Sequence, residues 1–240
     1  MEIKVYDSVD KIYIEVASYY VKKITDNPSI TLGLATGGTM EPLYKLLVDD
    51  YNENKTDYSK AKTFNLDEYI GLPKDHNQSY RYFMNKHLFS HVNIQLSNTH
   101  VPIGDKLRVN ESAIEFEKLL SENPRDIQLL GLGQNGHIGF NEPGTSFDSI
   151  THVVNLTDKT REDNARFFLN LDEVPHQAIT MGIKSMLSAK EIIIIATGIS
   201  KARAVKAMVN GPVNERCPAS ILRRHPDCIV YLDKDAASLL

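Results

Sequence analysis

Four short segments of the 240-residue chain concentrate side chains that can move protons or hold anions. In Gly131-Leu132-Gly133-Gln134-Asn135-Gly136-His137-Ile138-Gly139-Phe140-Asn141-Glu142-Pro143-Gly144, an amide, an imidazole and a carboxylate (Asn135, His137 and Glu142) share one glycine-rich loop. A carboxylate beside a histidine fixes its tautomer and basicity, as a proton shuttle requires, and glycines let the backbone approach a ligand closely. A lone histidine after a strand is more often a structural residue; the polar and glycine content around His137 tips the balance toward chemistry. With no second histidine and no cysteine at ligand spacing in this segment, no metal is expected.

The segment Phe64-Asn65-Leu66-Asp67-Glu68-Tyr69 ends an apolar run in two acids. A carboxylate at a strand end in a partly apolar cleft gains the raised proton affinity of a general base. If the strand continues, Asp67 and Glu68 point in opposite directions and one of them faces the ligand, a choice that spacing alone does not make. A surface acid or a helix cap is the alternative. In Ala35-Thr36-Gly37-Gly38-Thr39, two glycines and two threonines stand between a strand and a helix beginning near Pro42. Exposed N–H groups, the helix dipole and the hydroxyls of Thr36 and Thr39 suit a phosphate; a tight turn with a threonine cap is the competing reading. The segment is neither GxGxxG nor a lysine-bearing phosphate loop, so neither a dinucleotide nor a nucleoside triphosphate is indicated. The cations Arg161 and Arg166, on a helix expected over 160–169, and Lys201, after the run IIIIATG, form the last group. At a helix start Lys201 gains nothing from the dipole, which favours a ligand role, whereas each arginine taken alone reads as part of a solvated helix face.

These segments need a frame. Apolar, β-rich runs occur at 30–35, 62–66, 127–132, 152–156, 178–181, 192–196 and 228–232. Between them lie helically spaced sets such as Val9, Ile12, Val16 and Tyr20, or Ala113, Phe116 and Leu120, and a third (Ala202, Val205, Val209) that Gly211 and Pro212 stop. Runs such as IIIIA do not alternate, so their sheet is covered on both faces. The pattern predicts an α/β doubly wound three-layer αβα sandwich with a mostly parallel, Rossmann-like central sheet, and a single domain over 1–240. In such a sheet ligands bind beyond the carboxyl ends of the strands, where all four segments lie.

A formal charge of -4 with 24% charged residues offers no basic excess for nucleic acid. The opening residues lack a long apolar run, so neither a signal peptide nor a membrane span is expected and the expected compartment is the cytoplasm. Two cysteines, Cys217 and Cys228, without a CxxC pair, read as small buried side chains rather than a disulfide framework or zinc site.

Together LATGGT, FNLDEY, GLGQNGHIGFNEPG, TREDNARFF and TGISKARA resemble, in matching order along nearly the whole chain, the glucosamine-6-phosphate deaminases. The resemblance implies conversion of glucosamine 6-phosphate to fructose 6-phosphate and ammonia, with no cofactor. It implies Asp67 as the base at C2, His137 as the ring-opening group tuned by Asn135 and Glu142, and Thr36, Gly37, Gly38, Thr39, Arg166 and Lys201 around the 6-phosphate. The 6-phosphogluconolactonases share the fold and a related glycine-histidine loop without the NEP continuation and are the alternative. A sugar-phosphate sensor of a regulator is a third reading, for which no helix-turn-helix segment is apparent. Many deaminases carry aspartate where this chain has Asn135; an amide orients His137 without a charge, which implies a less basic histidine, and shorter members use asparagine too. Allosteric hexameric members carry basic residues where this chain has His152 and Val154 and extend beyond Leu240, so activation by N-acetylglucosamine 6-phosphate is expected to be weak or absent, in a monomer or small homo-oligomer. The segment 145–163 is the candidate for a mobile cover.

Overall fold

The computed structural model describes every residue except Arg166, Phe167 and Leu169, and every other side chain except those of Lys159, Asp163 and Asn164. Its elements run β1 (Glu2–Tyr6), α1 (Val9–Asp26), β2 (Thr31–Leu34), α2 (Glu41–Asn54), β3 (Lys62–Asn65), β4 (Asp67–Tyr69), α3 (Tyr80–Met84), β5 (Thr99–His100), α4 (Val109–Glu122), β6 (Ile127–Gly131) and β7 (His152–Asn155). There follow α5 (Asp158–Ala165), β8 (Gln177–Thr180), α6 (Ile183–Leu187), β9 (Glu191–Ala196), α7 (Ala202–Asn210) and β10 (Cys228–Asp233).

Seven strands form one sheet in the order β1-β10-β9-β6-β2-β3-β5, and every pairing in it is parallel. The doubly wound, mostly parallel expectation is thus met. The physical reason is visible in β9, where Ile192, Ile193, Ile194 and Ile195 are all buried. A strand with no polar face needs cover on both sides, and helices joining parallel strands provide it. On one such helix, α1, Ile12, Val16, Tyr20 and Ile24 form a buried stripe at helical spacing. Chain order from β2 runs outward through β3 to β5, whereas β6 returns to the opposite side of β2. The order therefore reverses between β2 and β6, and a crevice opens at their carboxyl ends.

Two of the runs read as strands do not join this sheet. β7 and β8 pair antiparallel with each other, and β8 pairs antiparallel with β4, in a separate three-stranded sheet. Nor is the acid pair an extension of the preceding strand: the chain leaves β3 at Asn65, passes through Leu66, and enters the small sheet at Asp67. β1 lay outside the apolar runs because it is an edge strand whose residues are exposed or half-buried. The segment 145–163 contains β7 and most of α5. Both cysteines are free and buried, and no helix among the described residues is long and apolar enough to cross a membrane.

Candidate active site

The crevice holds a cavity of about 330 Å³ lined by, among others, Thr36, Gly37, Gly38, Thr39, Asp67, His137 and Lys201. Residues remote in sequence converge there because β2, β6 and β9 end side by side, each releasing a loop at the same edge, while β4 closes one wall.

The loop after β2 leads into the 14-residue helix α2. Among the described residues the N–H groups of Gly37, Gly38 and Thr39 have no acceptor in the protein. Tyr13 Oη fixes the loop from behind by donating to the Thr39 carbonyl at 2.7 Å. N–H groups at a helix start, two threonine hydroxyls nearby and Lys201 on the same cavity wall make this end suited to an anion. Lys201 lies in the short 3-10 turn just before α7.

At the other end the two acids of β4 separate as strand alternation requires. Glu68 turns away and accepts from the backbone N–H groups of Tyr69, Tyr80 and Arg81 at 2.9–3.0 Å. It is a structural cap for α3. Asp67 faces the cavity, is only 6% exposed, and has its proton affinity pushed up to about 8 by burial and then by the neighbouring charge of Glu68. Gly139, with φ +56°, closes over it; a Cβ there would stand 2.8 Å from Met186 Cε and 3.4 Å from Asp67 Oδ2, so a side chain would be both strained and crowded.

His137 belongs to the loop after β6. Its ring lies so close over Gly133 that a Cβ on that residue would sit 2.4 Å from the imidazole. His137 Nδ1 is buried, 3.4 Å from Glu142 Oε1, and has no hydrogen-bonded partner among the described residues. Glu142 is fixed from two sides, Oε2 accepting from Asn135 Nδ2 at 2.6 Å and Oε1 from Thr160 Oγ1 at 2.8 Å. Burial acts to raise the proton affinity of Glu142, but His137, Asn135 and Thr160 together outweigh it and bring the carboxyl down to about 2. Asn135 also accepts from the His137 backbone N–H at 3.2 Å. An aspartate at this position could not donate to Glu142 without carrying a proton, whereas the amide bridges loop and carboxylate while neutral.

Two carboxyl groups are thus driven apart, Asp67 toward holding a proton and Glu142 toward losing one, a separation that divides acid and base work between like groups. Of the residues expected at the site, Thr36, Gly37, Gly38, Thr39, Asp67, His137 and Lys201 line one cavity. Asn135 and Glu142 stand behind His137, and Arg166 lies outside the described residues. Arg161 is not a cavity cation: it is 8% exposed and donates to the carbonyls of Leu171 and Val174. Sequence reasoning missed Thr160, Tyr80 and Phe140 in the cavity wall. The signal for Thr160 was Thr157, whose hydroxyl accepts from the Thr160 N–H and caps a helix that starts at Asp158, two residues earlier than expected. No group of three or more His, Cys, Asp or Glu among the described residues could hold a metal ion.

The profile of the family described as glucosamine-6-phosphate isomerases/6-phosphogluconolactonase matches residues 7–230. A glucosamine-6-phosphate deaminase of Clostridium perfringens is 48% identical over 237 residues, spanning 97% of this chain and 98% of that protein. One from Halalkalibacterium halodurans is 47% identical over 228 residues, spanning 95% and 93%. A solved monomeric glucosamine-6-phosphate deaminase, 41% identical, covers 100% of both chains with a TM-score of 0.97. A 6-phosphogluconolactonase from Trypanosoma brucei superposes with a TM-score of 0.82 over 100% of this chain and 98% of that one; at 18% identity the likeness is one of fold.

Proposed function

The chain belongs to the glucosamine-6-phosphate isomerase/6-phosphogluconolactonase family, and from that premise we propose that it converts glucosamine 6-phosphate and water to fructose 6-phosphate and ammonia. The observation that carries this reading is Asp67, a buried carboxyl of raised proton affinity in the same cavity as His137 and an anion-binding loop. Aldose-to-ketose isomerisation needs a base of this kind beside C2.

The closed sugar ring has no acidic hydrogen at C2, so opening comes first. His137 takes the proton of O1 and delivers one to the ring oxygen; the C1–O5 bond breaks and an aldehyde forms at C1. Glu142, held ionised, stabilises the imidazole while it carries the extra proton. Asp67 as carboxylate then removes the C2 proton, the electrons pass through C2=C1 to the carbonyl oxygen, and that oxygen takes a proton from the C2 ammonium, giving a neutral enolamine. Return of a proton to C1 yields an imine at C2. Water adds to it, ammonia departs and the ketone of fructose 6-phosphate remains. Thr36, Gly37, Gly38, Thr39 and Lys201 hold the 6-phosphate, with Arg166 in the same role, so that binding at the remote end fixes C2 against Asp67.

The chain acts as one domain, as a monomer or small homo-oligomer in the cytoplasm, and the monomeric relative of 41% identity supports the simpler assembly. His152 and Val154 on β7 offer no paired basic groups for an anionic activator, so activation by N-acetylglucosamine 6-phosphate is weak or absent. The test is ammonia release from glucosamine 6-phosphate with and without the acetylated sugar, beside an assay of 6-phosphogluconolactone hydrolysis. Ammonia with stoichiometric fructose 6-phosphate is the expected result; rapid lactone hydrolysis without ammonia would assign the chain to the other branch of its family.

A further inference from the structure

α5 is an unusual helix to find against an active site. Its sequence, Asp158-Lys159-Thr160-Arg161-Glu162-Asp163-Asn164-Ala165, contains no apolar side chain larger than alanine, so hydrophobic burial does not hold it in place. Polar contacts do. Arg161 ties the helix to the carbonyls of Leu171 and Val174, and Thr160 ties it to Glu142.

The direction of that second bond is set by chemistry. Thr160 Oγ1 lies 2.8 Å from Glu142 Oε1 and 2.9 Å from Thr157 Oγ1. An ionised carboxylate accepts only, so Thr160 donates to Glu142 and must accept from Thr157. Thr157 also accepts from the Thr160 backbone N–H at 3.1 Å. The Thr160 hydroxyl therefore has one orientation, aimed at the carboxylate oxygen that faces His137 Nδ1 at 3.4 Å. The other oxygen is held by Asn135. One donor on each oxygen fixes the carboxylate plane, which neither does alone.

We propose that Thr160 is a positioning residue for ring opening, holding Glu142 Oε1 opposite His137 Nδ1 and thereby making the ring-opening group dependent on the docked state of α5. This rests on the deaminase reading for its kinetic consequence, though not for the clamp itself. Thr160 is 9% exposed and also borders the cavity, so the test must separate the clamp from a cavity wall.

Thr160→Val keeps the shape and removes the donor; Thr160→Ser keeps the donor. The two variants are compared with the parent chain in ammonia release and in binding of 2-amino-2-deoxyglucitol 6-phosphate, an open-chain compound that needs no ring opening. Thr160→Val is expected to lower kcat about tenfold or more, with affinity for the open-chain compound within about threefold of the parent and Thr160→Ser near parental in both. A kcat for Thr160→Val within about twofold of the parent, or an affinity loss matching the loss in kcat, overturns the proposal. A second reading needs no turnover. In carboxyl-labelled protein the Glu142 resonance of Thr160→Val should begin to report protonation about one pH unit higher than in the parent, since a donor to the charged form is gone. An unmoved resonance refutes the clamp; a moved resonance in a parent chain that releases no ammonia keeps the clamp and refutes the deaminase reading.

Discussion

The two sheets of this protein do different work with different materials. The seven-stranded parallel sheet is built from side chains that never meet the cavity: β9 and β10 are buried over their whole lengths, and what this sheet contributes to the site comes from the loops at its carboxyl edge. The small antiparallel sheet is short and partly exposed, β7 having no buried residue, yet β4 carries Asp67, the one acid among the described residues that lines the cavity. The large sheet supplies the framework and, through the loop after β6, His137; the small sheet supplies the buried carboxyl of Asp67. Stability and chemistry should therefore respond separately to substitution.

The largest effect is expected at Asp67. Asp67→Asn removes the proposed base while keeping size, and kcat should fall by about 10³-fold or more, with binding of the open-chain alditol phosphate within a few fold. The parent's kcat/KM should also fall as pH drops below about 8, where the Asp67 carboxyl takes up its proton. Stability should move the opposite way. A carboxyl whose folded proton affinity is raised contributes stability that is complete below the ordinary carboxylate range near 3.8 and is lost as pH rises through about 8. Asparagine carries no such charge, so the variant should gain in Tm on the parent between pH 5 and pH 9, a difference readable by calorimetry. A variant that loses activity and stability together at pH 8 would show that the small sheet is structural as well, and the division of work would fail.

Next in size is a substitution in the large sheet. Ile194 on β9 is 0% exposed, flanked in register by Leu130 on β6 and Val230 on β10. Ile194→Ala should cost roughly 2–5 kcal/mol of folding stability, a cavity-forming loss in a close-packed core. Denaturant titration would measure it, and kcat per folded molecule should stay within about twofold of the parent. A large drop in kcat in the folded variant would mean that the sheet's packing reaches the loops at its edge.

The sequence made these two regions unequally legible, for a physical reason. Parallel strands covered on both faces leave continuous apolar runs, so β2, β3, β6, β9 and β10 could be read without a structure. The small sheet leaves no such mark: β4 has three residues, two of them acids, and only long-range pairing with β8 makes it a strand. β7 and β8 were visible as strands, but their antiparallel partners were not. At the site, the clustering of Asn135, His137 and Glu142 in one loop was readable because glycines and polar groups crowd a short stretch. Choosing between Asp67 and Glu68 was not, since it depends on three backbone N–H groups of Tyr69, Tyr80 and Arg81 that claim Glu68. Arg161 taken alone reads as part of a solvated helix face, and only its burial against the Leu171 and Val174 carbonyls reveals an anchor. Thr160 carried no chemical signature of its own because its role comes from contact with a glutamate 18 residues away in sequence.

The smallest expected effect tests the large sheet's contribution to the site. The loop after β2 turns toward the cavity three backbone N–H groups that have no acceptor among the described residues, and Thr36 lines the same cavity wall. Thr36→Val keeps the shape and removes the donor proposed for the phosphate, an expected loss of about 1 kcal/mol that corresponds to roughly fivefold in KM. The N–H groups of Gly37, Gly38 and Thr39 and the ammonium of Lys201 remain, so the sugar should still sit with C2 against Asp67 and kcat should stay within about twofold. Steady-state kinetics at saturating and limiting glucosamine 6-phosphate separate the two constants. If kcat falls with KM unchanged, the hydroxyl acts on the reacting end of the sugar rather than on its phosphate, and the loop after β2 would join the loop after β6 in supplying reactivity.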